Sequence, residues 1–191
     1  MEPIAADSAS SAPVLCVQCK ACVGILDSSS RGYKLRKACL SVATGGTKAS
    51  SSYSQDQWLS SILLTAAESQ GVRRLVVYAG GENGSKIEHV MHVWLFAPDL
   101  RISSSVAKAA TPMRVAKVLH RAGLPADVEK LGGVGAVEGE VELSKNEWCE
   151  LQDLLTESAK LLPEAARRFQ HWTVGLLRRF TTDDLHSHTT S

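Results

Sequence analysis

Five cysteines carry most of the chemistry this 191-residue chain could do, and their spacing sorts them. Cys16, Cys19 and Cys22 fall at three-residue intervals in the stretch Val14-Leu15-Cys16-Val17-Gln18-Cys19-Lys20-Ala21-Cys22-Val23-Gly24, Cys39 follows further on, and Cys149 stands alone in the C-terminal part. Two cysteines separated by two residues suit a zinc knuckle, because a tight turn aims both thiolates at one tetrahedral ion. Cys16 and Cys19 are therefore candidate zinc ligands. One such pair supplies only half a structural site, so Cys22 and Cys39 are the local candidates to complete it, although Cys16, Cys19 and Cys22 together crowd a single ion. The competing reading is of reduced, half-buried cysteines that behave as small hydrophobes. A thioredoxin-type redox role lacks its strand-helix context.

Other constellations fall away on spacing. His89 and His92 are three apart and lie in a strand-like run, where they face opposite sides and cannot chelate together. Gly80-Gly81 is followed by neither a Lys-Ser/Thr pair nor a helix start, so it does not form a phosphate loop. No Ser-His-Asp set or carboxylate pair assembles from the sequence. His186 and His188 lie in a polar tail expected to fray.

The elements that must position these residues begin with Val90-Met91-His92-Val93-Trp94-Leu95-Phe96. This run is apolar enough to want both faces covered, and Pro98-Asp99 is expected to close it. It reads as a central strand, in which Trp94→Ala should cost about 3–5 kcal/mol. Arg73 to Ala79 is a second strand, forming a hairpin with the strand over Lys86 to Phe96. Ser54 and Gln57 make a capping box, and Trp58, Leu59, Ile62, Leu63 and Ala66 give a helical face that Gly71 ends. Ser144 and Glu147 repeat that signal ahead of Trp148, Leu151, Leu155 and Leu162. Tyr33 to Val42 and Val137 to Leu143 alternate as strands, whereas Met113 to Leu119 fits a strand or a short helix equally. After Pro163, the spacing of Phe169, Trp172, Leu176 and Phe180 predicts a further helix. The fold class is α+β: a mainly antiparallel sheet with two or three packed helices and an N-terminal cysteine knuckle. Residues 1–13 are expected to be a disordered leader, 14–180 one domain and 181–191 a polar tail.

Composition narrows the setting. Lys and Arg number 21 against 20 Asp and Glu, and this balance supplies no field to recruit nucleic acid or an anionic membrane. Arg167, Arg168, Arg178 and Arg179 read as a solvated basic helix face and not as a nucleic-acid face, because Phe169 and Trp172 between them are at core spacing. The N-terminus has acidic residues where a secretory signal needs basic ones, and no run approaches the roughly 18 apolar residues of a transmembrane helix. An odd cysteine count without an export signal points to thiols or metal ligands, in the cytosol or nucleus.

Four segments taken in order resemble one family. They are Val14-Leu15-Cys16-x-x-Cys19-Lys20, Trp94-Leu95-Phe96-x-Pro98-Asp99-Leu100-Arg101, Ala116-Lys117-Val118-Leu119, and the stretch from Glu140 to Phe180 with Leu162-Pro163 and Arg167 to Phe169. Together they are similar to the HECT-like ubiquitin-conjugating-enzyme-binding proteins, ubiquitin ligase-like proteins with fungal relatives linked to messenger RNA 3′-end processing. The resemblance runs from about Val14 to Phe180 and places the chain as the C-terminal half of longer members. It implies a protein that binds a ubiquitin-conjugating enzyme and ubiquitin and promotes ubiquitin transfer. The alternative is a non-catalytic scaffold for cleavage-and-polyadenylation factors, with structural zinc. HECT ligases carry ubiquitin on a cysteine thioester in a Leu-Pro-x-x-x-Thr-Cys-like loop, and Cys149 is the candidate acceptor here. Its context, Leu143-Ser144-Lys145-Asn146-Glu147-Trp148-Cys149, lacks the proline and the threonine. A helix N-terminus lowers a thiol pKa, and the capping Glu147 opposes this.

Overall fold

A computed structural model describes residues 12–20, 22–27, 31–36, 39–40, 42–43, 50–51, 53–80, 87, 89–104, 112–131, 137–182 and 184. Nearly all of the expected leader and tail, and the Gly81 end of the first hairpin, lie outside the described residues. The chain divides into two compact units, residues 1–53 and 54–191.

In the first unit, β1 (Pro13–Leu15), β2 (Cys22–Asp27) and β3 (Gly32–Leu35) form an antiparallel sheet with β2 in the middle. Gly24 on β2 is required by close approach, since a Cβ there would run into the Lys34 carbonyl of β3. β4 (Val42–Ala43) and β5 (Ser50–Ser51) make a separate two-stranded pair. Of the stretch expected as one strand from Tyr33 to Val42, the described residues place β3 up to Leu35 and the start of β4 at Val42, and Arg36 N–H reaches the Val23 carbonyl at 2.8 Å.

The second unit is built on a sheet and two long helices. α1 (Gln55–Gln70) starts where its capping box predicts: Ser54 N–H donates to Gln57 Oε1 at 3.2 Å. It ends at Gly71, whose left-handed φ of 67° lets the Val72 N–H turn back to the Ala67 carbonyl at 3.0 Å. β6 (Arg74–Ala79), β7 (Val90–Ile102), β8 (Met113–Ala122), β9 (Gly139–Leu143), β10 (Arg168–Phe169) and β11 (Trp172–Arg178) form one sheet in the order β10-β11-β8-β7-β6-β9. Every neighbouring pair is antiparallel except β6 and β9, which run parallel. α2 (Pro125–Glu129) is a short helix after β8, and α3 (Lys145–Ser158) follows β9.

Alternation along the strands makes two faces. One presents Leu75, Val77, Met91, Val93, Leu95, Ala116, Val118, Val141, Leu143 and Leu177 to Leu59, Leu63 and Ala67 of α1 and Trp148, Leu151 and Leu155 of α3. These side chains form the main core, and each large one removed from water contributes about 1.5–3 kcal/mol. The opposite face carries Val76, Leu119, Trp172, Val174 and Leu176, all buried, with Trp94 and Leu162 packed against Leu119, Trp172 and Val174.

Three sequence expectations are corrected. The central strand does not stop at Pro98-Asp99: β7 passes through register shifts after Leu95 and Ala97 and pairs again at Leu100. Proline is tolerated there because the bulge asks for no ladder N–H. Asp99, outside the ladder, accepts from Arg114 at 2.8 and 2.6 Å, which first among its neighbours holds its carboxyl down to about 2. The helix expected after Pro163 is instead a 3-10 turn (Glu164–Ala166) and the hairpin of β10 and β11, turning at Gln170 with φ 54°. Trp172, Val174 and Leu176 share a face at period two, and β-branched Thr173 and Val174 with Gly175 suit a strand better than a helix. Arg178 and Arg179 consequently lie on no helix face. Arg178 pairs with Asp56 at 2.6 Å, and Arg179 donates to the Pro98 carbonyl at 2.9 Å. The open reading of Met113 to Leu119 resolves to strand β8.

Candidate functional site

The Cys16–Cys19 segment links β1 to β2 as a tight turn. Lys20 N–H donates to the Cys16 carbonyl at 3.0 Å, and Lys20 takes a left-handed φ of 61°. This winding turns backbone N–H groups toward the first thiol. The Cys19 N–H, then the Gln18 N–H and the Cys19 thiol, hold the Cys16 thiol below its ordinary range. Such a turn fits two ligands of a thiolate zinc site. The other candidate donors are not gathered there: the Cys22 thiol donates to the Gly24 carbonyl at 3.3 Å, and among the described residues no three Cys, His, Asp or Glu side chains converge on one point. No disulfide joins any of the five cysteines.

Cys149 lies on α3 in the turn that follows the cap. The Ser144 N–H donates to Glu147 Oε2 at 2.9 Å, so the capping box pulls Glu147 toward the helix start. Trp148, Leu151 and Leu155 form the buried stripe, which leaves Cys149 off it and exposed. Among the described residues nothing hydrogen-bonds its thiol. Its surroundings along α3 are acidic, with Glu147, Glu150 and Asp153 within one helical turn. Burial first, then the charges of Glu147 and Asp153, raise the Glu150 carboxyl.

His89 and His92 are separated by the sheet, as their spacing requires. The His89 ring lies 4.9 Å from that of Trp148 on the helix side. His92 is buried on the other side, its Nε2 3.1 Å from Asp127 Oδ2 of α2.

A further cluster escaped the sequence reading. On the face away from α1 and α3, Trp94 touches Phe96, Phe169 and Trp172 with ring separations of 5.2, 6.5 and 6.1 Å. Phe96 is the bulged residue between Leu95 and Ala97, and the bulge aims it toward Phe169 at 6.1 Å. Cations sit on three of these rings: Arg74 over Trp94, Lys117 over Phe96 and Arg121 over Trp172, at 4.8, 5.2 and 5.0 Å. The available signal is the alternation of Lys117, Leu119 and Arg121 on a strand, but the spacing of Phe169 and Trp172 also fits the core face of a helix. Without β10 and β11 in place, the cluster cannot be assembled.

Residues 4–174 match the family model described as HECT-like ubiquitin-conjugating enzyme (E2)-binding. No curated protein and no solved structure matches the chain. The match covers most of both units, including the cysteine turn, Cys149 and all four aromatics of the exposed face. The chain belongs to the HECT-like ubiquitin-conjugating enzyme (E2)-binding family.

Proposed function

We propose that the chain binds a ubiquitin-charged conjugating enzyme and promotes transfer of ubiquitin to protein substrates by holding the donor thioester in place. The family match over residues 4–174 is the observation that carries this reading. Positioning is preferred to covalent relay because of the surroundings of Cys149. The stretch around Cys149 lacks the proline and the threonine of the HECT-type loop, and among the described residues no group hydrogen-bonds its thiol to act as a base. Orienting a thioester that is already activated needs no ionised thiol on the ligase, and orientation alone contributes large rate factors.

Zinc enters this proposal as structural support. Cys16 and Cys19 would supply two thiolates, and Cys22 and Cys39 remain the candidate further donors. Bound zinc, measured on the full chain by metal analysis, should fall in Cys19→Ser together with the melting temperature.

The functional test is single-turnover discharge of ubiquitin from a panel of charged conjugating enzymes, with wild-type chain and Cys149→Ser side by side on non-reducing gels. Equal discharge without an adduct on the chain is expected. A reductant-sensitive ubiquitin adduct that Cys149→Ser abolishes would replace positioning with covalent relay. Absence of discharge and of binding across the panel would remove the ligase reading in favour of a scaffold for messenger RNA 3′-end processing.

A further inference from the structure

The exposed aromatic face of the second unit has the composition of a contact surface. Trp172 is buried and Trp94 half-buried, so they anchor the cluster, while Phe96 and Phe169 remain 42% and 44% exposed. Two adjacent phenylalanines at that exposure are costly to leave in water, and aromatic side chains beside arginine are the usual composition of interface hot spots. The cations around them are the second observation. Lys34, Arg114, Lys130, Lys160, Arg178 and Arg179 each have a carboxylate partner. Among the described residues Arg74, Lys117 and Arg121 have none and rest on aromatic rings. Three unneutralised cations around an apolar centre, in a chain of net charge +1, are complementary to an apolar knob ringed by carboxylates.

We propose that Phe96 and Phe169, with Arg74, Lys117 and Arg121 around them, form the docking surface for the conjugating enzyme, which meets it with an apolar knob bordered by acidic side chains. The assignment rests on the function proposed above and locates its partner on the fold. Single-stranded nucleic acid fits the same ingredients less well. Bases bind aromatic platforms by stacking on ring faces, and Trp94, Phe96 and Trp172 each already have one face covered by a cation of the chain.

The experiment measures the affinity of the full chain for the conjugating enzyme it binds best, with Phe96→Ser, Phe169→Ser, Lys117→Glu and Arg121→Glu beside wild type and a thermal melt on each. All four are surface changes, so melting should move little. At least a tenfold weakening in each variant is expected, steeper at low salt for the two charge reversals, with Lys117→Glu recovered by an acid-to-lysine change on the enzyme's contact surface. Affinities within twofold of wild type would overturn the docking surface while leaving conjugating-enzyme binding intact. If wild type binds no enzyme in the panel, the function proposed above fails as well. A labelled single-stranded RNA that binds wild type and is lost in the same four variants, with enzyme binding unchanged, would reassign the face to nucleic acid.

Discussion

Gly175→Ala probes the junction on which the placement of α3 depends. Gly175 on β11 pairs with Val118 and faces α3. A Cβ added there would stand 2.7 Å from Leu155 Cδ2, 2.8 Å from the Leu155 carbonyl oxygen and 3.0 Å from its Cα. A rotamer change relieves only the first of these, because the other two are backbone. Restoring ordinary contact at about 3.5 Å requires α3 to lift by roughly 0.5–1 Å, which forfeits a quarter to a half of each dispersion contact beneath Trp148, Leu151 and Leu155. Overpacking of this kind costs about 1–3 kcal/mol, and the better strand propensity of alanine returns roughly 0.5–1 kcal/mol. The net expectation is a loss of about 1–2 kcal/mol, which for a domain of this size lowers the melting temperature by about 3–8 °C. The assay is thermal and urea unfolding followed by far-ultraviolet circular dichroism. Gly71→Ala is the internal standard: nothing lies within 4 Å of its Cβ, so only left-handed backbone strain at φ 67° is added, at about 1 kcal/mol. Gly175→Ala should be the worse of the two, and Leu155→Ala should not rescue it. A melting temperature for Gly175→Ala within about 2 °C of wild type would mean that α3 does not pack this closely on β11.

The remaining predictions concern charge, catalysis and the central strand. The Leu124 N–H, followed by His92 and Lys130, holds the Asp127 carboxyl down to about 2. Its stabilising effect is therefore complete above an unfolded value of about 4 and is lost as pH falls toward 2. Asp127→Asn should cost about 1–2 kcal/mol at pH 7 in urea melts, and the gap to wild type should narrow across that window. Burial lowers the His120 pKa, so acid must charge it at a cost to the fold. Wild-type stability should start to fall below about pH 6.5, and His120→Leu should flatten that part of the profile. Cys149→Ser should leave both melting temperature and ubiquitin discharge within experimental error of wild type, and a fall in discharge alone would reveal a relay thiol. Trp94→Ala should cost about 2 kcal/mol, because its ring is half-buried and not fully enclosed; a loss of about 4 kcal/mol would restore the value expected for a strand covered on both faces.

Local rules determined much of this protein. The two capping boxes and Gly71 set the ends of α1 and the start of α3 within a residue, since a cap is a contact between neighbours in sequence. The apolar run around Trp94 identified the central strand, and alternation identified β9, because a pleat reads out every second residue. The α+β class followed from those elements together, and the family from the order of its segments. Period alone failed after Pro163, where Phe169, Trp172 and Leu176 fit a helical spacing by coincidence. Only pairing of β11 with β8 chose the strand. The bulge that carries β7 past Pro98 was equally illegible, because it depends on where Lys117 and Val115 stand on the neighbouring strand. Tertiary structure also decided the setting of the cysteines: a turn that bends N–H groups onto Cys16, and a helix whose buried stripe leaves Cys149 exposed. The aromatic and cationic face belongs wholly to that level, since its residues come from β6, β7, β8, β10 and β11, and no sequence window spans strands brought together by pairing.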